Sequence, residues 1–192
     1  MLPGGQQQRS PTMASDDAHV LLHFRKATGR DAPLLTETEQ SAGLLFRADR
    51  EIAWLAEADN ISPERYGEII ADGWSWVAES EHGRLVGFIA TTLEARDLHI
   101  WEFDVHIAWQ RRGIGRRLLQ RFIAEATAAR IPAVTLTTFR DVPWNAPFYQ
   151  SIGFEPLAPE ELDARLAAQV AAEIEMGLPA ARRCAMRKVL PV

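Results

Sequence analysis

The sequence predicts an α/β fold with one central mixed sheet, mostly antiparallel, flanked by helices. Three patterns carry that expectation. Segments 74–80, 83–93 and 97–107 alternate or run apolar and are joined by the short turns "EHGR" and "EARD", which reads as an antiparallel meander. Residues 115–130 then set Leu118, Leu119, Phe122, Ile123 and Ala126 at helical spacing, with Arg117, Gln120, Arg121 and Glu125 opposite. Beyond that helix, strands and helices alternate, so the later half turns the meander into a mixed sheet.

The elements follow in order. "HVLLHFRKA" is the first strand, and Asp31 to Asp72 reads as two helices, the second with Ser62 as N-cap and Pro63 at its first position. After the meander and the 115–130 helix, Pro132 marks the exit into the strand "IPAVTLTT". "WNAPFYQSIGF" is a short helix capped by Asn145, with Pro147 in its first turn and Gly153 as its left-handed stop. A strand near Phe154 comes next. Leu162, Leu166, Val170 and Ile174 step by fours through a last helix ending at Gly177, before a final strand from Arg183 to Leu190. Alternation in that strand places Cys184 and Met186 on one face, which makes the single cysteine a buried structural thiol.

Composition sets the frame. With 192 residues, 47% hydrophobic content and a formal charge of −5, the chain is expected to form one soluble domain over residues 19–192, with a helical insertion at 158–178. Residues 1–18, rich in Gly, Pro, Gln and Ser, are expected to be a disordered leader. There is no apolar run of spanning length and no secretory signal pattern, so the expectation is a cytoplasmic protein without a membrane partner. The acidic balance argues against nucleic acid as a partner.

One stretch breaks that balance. In "VHIAWQRRGIGRRLL", Val105–Leu119, four arginines surround Gly113 and Gly115 between the end of a strand and the start of a helix. Glycine lets a backbone approach a ligand, and a helix start offers unpaired N–H groups and partial positive charge. Together with arginine donors they make a phosphate cradle. A Walker loop is excluded because no Lys follows the glycines. A dinucleotide fingerprint is weak, since Leu118 stands where its third glycine would be.

Gln110-Arg111-Arg112-Gly113-Ile114-Gly115 resembles the Q/R-x-x-G-x-G/A signature of the GNAT superfamily of acyl-CoA-dependent N-acyltransferases, and "PFYQSIGF", Pro147–Phe154, resembles that family's F-Y-x-x-x-G-F segment. The resemblance covers roughly residues 20–156. It implies a three-layer fold and an N-acetyltransferase that uses acetyl-CoA as cosubstrate, with no metal, on a primary amine of a small molecule or peptide. It implies that the backbone at Phe103, Asp104 and Val105 pairs with the pantetheine arm. Gln110, Arg111, Arg112, Gly113, Ile114, Gly115 and Arg116 resemble the pyrophosphate loop. Tyr149 matches the tyrosine that protonates the departing thiolate in a ternary complex, and Asn145 resembles a cofactor-contacting asparagine, here four residues before Tyr149.

A base is also needed, because a lysine-type ammonium titrates near 10.4. Along 101–107, alternation puts Trp101, Phe103, Val105 and Ile107 on one face and Glu102, Asp104 and His106 on the other. Glu102 is the first choice for the base. The same alternation also describes a strand with one wet face. From Asp31 to Asp72 there are ten Asp and Glu against three Arg, either a solvated helix face or an acidic rim favouring a cationic amine. Trp54, Trp74, Trp76 and Trp144 are candidates for an acceptor pocket or for core. The 158–178 insertion could shape the acceptor site or serve a homodimer contact. Two other classes stay open: a non-catalytic acyl-CoA-binding or sensing module, and a nucleotide-binding domain of another fold.

Overall fold

The computed structural model describes residues 21–191, so the expected leader at 1–18 lies outside the described residues. The elements are β1 (Leu22–Lys26), α1 (Ala32–Gly43), α2 (Pro63–Ala71), β2 (Trp76–Ser80), β3 (Leu85–Glu94), β4 (Asp97–Val105), α3 (Ile114–Ala128), β5 (Ala133–Phe139), α4 (Ala146–Gln150), β6 (Glu155–Pro156), α5 (Ala164–Glu175) and β7 (Arg183–Val189). One sheet contains all seven strands in the order β1-β2-β3-β4-β5-β7-β6. Every pairing is antiparallel except β4 with β5.

Three layers follow from the two patterned faces. On one side α3 buries Leu118, Leu119, Phe122 and Ala126 against Trp76, Val86, Ile89, Leu136, Cys184 and Met186. On the other, α1 and α2 bury Leu35, Tyr66, Ile69 and Ile70 against Val77, Phe88 and Ala90. Truncating a fully buried leucine such as Leu118 would cost about 2–5 kcal/mol. The turn chemistry acts as read from the sequence. Ser62 Oγ accepts from the Arg65 N–H at 3.2 Å, and Gly83, Gly153 and Gly177 take positive φ at turns and helix ends. Asn145 occupies the N-cap position of α4 but makes no side-chain cap.

The sheet opens in the middle. Parallel pairing between β4 and β5 is confined to Leu98, His99 and Ile100 opposite Val134, Thr135 and Leu136, after which the strands part. Beside that point β4 carries a bulge: Ala90 of β3 faces Glu102 and Thr91 faces Ile100, leaving Trp101 unmatched. The bulge corrects the simple alternation read from the sequence. Phe103 and Val105 pack on the α3 side as expected, but Trp101 joins the opposite core and contacts His99, their ring centroids 4.7 Å apart. Ile107 has left the strand and is 39% exposed.

Two further pieces frame the opening. The long connection between α1 and α2 makes its own small core, in which Ile52, Phe46 and Leu55 pack on Phe139 and Val142 beyond β5. Arg182 anchors the same connection through Asp49 at 2.6 Å and Glu51 at 3.0 Å. In the segment between β6 and β7, α5 starts at the cap Asp163, whose Oδ1 accepts from the Leu166 N–H at 2.8 Å. It packs on β5 and β7 through Glu173, which accepts from the Thr137 hydroxyl and from Arg183. Among the described residues no helix is long and apolar enough to cross a membrane.

Candidate active site

At the end of β4 the chain makes a short 3-10 turn, Ile107–Trp109, then two residues of positive φ, Arg111 and Gly113, before α3 begins. The Gln110 side-chain amide donates to the Val105 carbonyl at 2.8 Å and so braces the loop. No side chain caps α3, which leaves the N–H groups of its first turn to a ligand or to solvent, at the positive end of the helix dipole. Arg111, Arg112 and Arg116 are exposed around this start. Arg112 lies over the Trp109 ring at 5.3 Å, and Arg116 donates to the Ser151 hydroxyl at 2.7 Å, tying the loop to the end of α4.

The two glycines do different work. Gly113 has φ +72° and open space where a Cβ would sit, so its left-handed backbone is what requires glycine. At Gly115 a Cβ would lie 3.3 Å from a ring carbon of Phe103 and 3.5 Å from Val105, so this glycine lets α3 lie close on β4. Ile114 is 2% exposed and anchors the helix to the core. Sequence reasoning grouped all three with the phosphate-facing positions. The structure gives open backbone to Gly113 and packing to Ile114 and Gly115.

Past Ile100, the edge of β4 toward β5 has no strand partner from Trp101 to Val105, so Phe103, Asp104 and Val105 lie along an open edge, with the Val105 carbonyl taken by the Gln110 amide. Tyr149 of α4 stands at this opening. Its ring packs against Phe103, Phe148 and Phe154 with centroids 6.2, 5.4 and 5.5 Å away. It is only 7% exposed, and its hydroxyl bonds to no described residue. Burial, followed by the charges of Asp104 and Glu102, pushes the phenol well above its usual range and keeps it protonated. Nearby, the Asn145 carbonyl starts α4 by accepting from the Tyr149 N–H at 3.1 Å, while its side-chain Oδ1 is buried without a partner. An orphaned acceptor at the edge of an open slot fits a site made for a donor from a ligand.

Glu102 and Asp104 pair in register with Ala90 and Phe88, which puts both carboxylates on the face covered by α1 and α2. Both are half-buried, and neither makes a hydrogen bond to a described residue. Burial first, then the neighbouring Asp104 and Glu39 charges, holds Glu102 well above the ordinary carboxylate range. Asp104 is raised likewise by burial and Glu39. Glu39 comes from α1 and accepts from the Tyr66 hydroxyl at 2.7 Å and the Ile61 N–H at 3.1 Å. Burial lifts it to about 7.

His106, expected beside these acids, is not among them. It lies past the strand end, where its Nδ1 accepts from the Ala108 N–H and its Nε2 is 3.3 Å from Arg84. With Leu34, Glu37 and Arg84 it lines a separate pocket of roughly 230 Å³. Trp76 is core, and Trp54 and Trp144 are 44% and 38% exposed. Sequence reasoning missed Glu39 as a site residue. The signal was an acid on the Leu35–Thr38–Ala42 stripe of α1, which is otherwise buried. It also missed His99, 1% exposed and 3.0 Å from the Thr135 hydroxyl at the middle of the three paired steps, where burial lowers its pKa to about 3. Nothing in the local pattern marks it.

The arrangement is thus a slot between two parting strands, with a basic helix start at one end, a phenol at its waist and three carboxylates on the far face. Residues 71–156 match the family model described as the acetyltransferase (GNAT) domain. The fold is similar to that of the PaiA N-acetyltransferase of Thermoplasma acidophilum in complex with coenzyme A, at 18% identity and TM-score 0.63, covering 88% of this chain and 99% of that one. It is also similar to the ribosomal-protein-S18-alanine N-acetyltransferase of Escherichia coli, at 16% identity and TM-score 0.63, covering 90% and 96%. A third similar fold is the N-acetylglutamate synthase of Neisseria gonorrhoeae complexed with coenzyme A and N-acetyl-glutamate, at 18% identity and TM-score 0.63, covering 90% of this chain and 36% of that one. The match over residues 71–156 and the similar folds together give this chain the fold of the GNAT acetyltransferases, with the glycine-arginine loop and the parted strands inside the matched segment.

Proposed function

We propose that this protein is an N-acetyltransferase that moves an acetyl group from acetyl-CoA to a primary amine by direct attack in a ternary complex. The observation that carries the reading is the unpartnered Tyr149 hydroxyl at the opening between β4 and β5, with Glu102 and Asp104 as the charges that act on it most. The uncapped start of α3, with Arg111, Arg112 and the backbone at Gly113, suits a pyrophosphate. The free edge of β4 suits an amide-bearing arm laid beside it as an added strand, and Asn145 Oδ1 awaits a donor at that edge.

Glu102 takes the proton of the incoming ammonium. Its raised pKa narrows the gap to an amine near 10.4 and makes it a better base than an ordinary carboxylate. Tyr149 hydrogen-bonds to the departing sulfur and delivers its proton as the thiolate forms. The charges of Asp104 and Glu102 hold that phenol up, so a cation bound beside them lowers it again toward the thiol range and eases the transfer. Donor N–H groups of the β4 edge are available to the tetrahedral oxyanion.

The test has two readouts. Coenzyme A raises the melting temperature, through preferential binding to the folded chain, and NAD and ATP do not. With acetyl-CoA and an amine panel, free thiol appears, and Tyr149→Phe slows the chemical step by about 10²- to 10⁴-fold with little change in cofactor affinity. Unchanged turnover in that variant would remove Tyr149 from the mechanism. Tight coenzyme A binding without thiol release from any amine would favour a binding or sensing module.

A further inference from the structure

The fold treats its enclosed carboxylates in two ways. Asp31, 4% exposed, is held by Arg25 at 2.8 Å, and Glu173, 6% exposed, by Arg183 at 2.7 Å. On the surface, Asp49, Glu51 and Asp141 share Arg182, and Asp97 has Arg187. Glu39, Glu102 and Asp104 have no Lys or Arg partner among the described residues. Among the described residues, Arg183 is the cation that bears most on Glu102, and both its Nε and its Nη2 are already given to Glu173. Close enough to this trio for Asp104 and Glu102 to act on it, the nearly buried Tyr149 hydroxyl also lacks a partner among the described residues. An enclosed set of acceptors without a cation is costly unless a ligand completes it.

A single ammonium does not complete it. Once the reacting nitrogen has passed its proton to Glu102, that carboxyl is neutral and so is the amine, which leaves Asp104 and Glu39 facing each other. Residues two apart on a strand are about 6.6 Å apart. That spacing lets one nitrogen address Glu102 while another, a short alkyl chain away, rests on Asp104. Resting on the acetyltransferase reading above, we propose that the acceptor is a diamine: one nitrogen is acetylated beside Glu102 and Tyr149, and a second, permanently protonated nitrogen a few carbons away is held by Asp104 and Glu39.

The bonds balance simply. The reacting nitrogen, freed of its proton by Glu102, forms the amide C–N bond as the thioester C–S bond breaks. The sulfur takes the Tyr149 proton, the amide nitrogen gives up its second proton and so restores that phenol, and Glu102 returns its own proton to solvent; the second ammonium stays unchanged, so the product is a monoacetylated cation. The second charge also has a pH signature. Glu39, Glu102, Asp104, Tyr66 and Tyr149 face the site from α1, β4, α2 and α4, with Arg183 and Glu173 beyond. A dication favours the ionised carboxylates, so its binding expels protons that the empty cluster retains.

The experiment is isothermal titration calorimetry of the full chain, loaded with coenzyme A, against butane-1,4-diamine and against butylamine, each in two buffers of different ionisation enthalpy. We expect the diamine to bind at least about 30-fold more tightly than butylamine near neutral pH, with proton release that butylamine does not match. Asp104→Asn and Glu39→Gln should each shrink that preference severalfold. Equal affinity for the two amines, or diamine binding without extra proton release, overturns the proposal. Thiol release from acetyl-CoA with either amine reports separately on the transferase reading, so a monoamine that binds and turns over as well as the diamine would end this inference and leave that reading standing.

Discussion

Two acidic regions lie on the same face of one sheet and meet opposite fates. At β7, Glu173 Oε2 accepts from two nitrogens of Arg183 and Oε1 accepts from the Thr137 hydroxyl and the Gln169 amide, so its lone pairs are spoken for. At β4, the Glu102 and Asp104 carboxylates have no hydrogen-bond partner among the described residues, and burial raises both, helped by the Asp104 and Glu39 charges at Glu102 and by Glu39 at Asp104, while burial raises Glu39. The first arrangement is self-sufficient and pins α5 to the sheet. The second is stable only with protons or a cation supplied from outside, which is what a site for a charged substrate requires. The difference lies in partners rather than in residue type.

The comparison breaks most sharply at Arg183. Arg183→Met strands the Glu173 charge and should cost about 3–5 kcal/mol in urea unfolding, whereas a double variant with Glu173→Leu should recover most of it. If the single variant unfolds like the parent, the ion pair does not hold α5.

The opposite signature is expected at Glu102. Glu102→Gln should lower kcat/KM by about 10²- to 10⁴-fold, with stability within about 1 kcal/mol of the parent or above it, because a like charge next to Asp104 is removed. A large loss of stability with intact turnover would make Glu102 structural and erase the contrast.

The smallest effect is a pH dependence. Glu39 titrates near 7 in the folded chain, above its unfolded value, so the native state holds its proton longer than the unfolded chain does. Its contribution is therefore fully present below about pH 4.3 and is lost as pH rises through about 7, on the order of 1–3 kcal/mol. Asp31, lowered by Arg25 to about 2, acts in reverse, its stability present above about pH 4 and lost as pH falls toward 2. Urea midpoints at pH 5 and pH 7.5 should fall for the parent and fall less for Glu39→Gln. An identical slope in the two proteins would refute the assignment.

Much of this molecule was legible in its sequence because the responsible forces are local. The period of the apolar residues set α3, and the Ser62–Pro63 start and the Gly153 and Gly177 stops bounded their helices through backbone preferences that need no distant partner. The loop from Gln110 to Arg116 was legible for the same reason, since a strand end, two glycines and a helix start are neighbours in the chain. Tyr149 was marked by its motif.

What the sequence could not determine was set by contacts between distant segments. The bulge at Trp101 depends on how β3 and β4 share their register, and it decides which face each residue of β4 presents. The division of labour between Gly113 and Gly115 depends on where Phe103 lies under α3. Glu39 looked like one acid among ten, and only the packing of α1 across the sheet brought it to Glu102 and Asp104 with no cation between them. Local preferences fix conformation, but a carboxylate's charge state depends on burial and on the charges brought near it, and those exist only once the chain has folded.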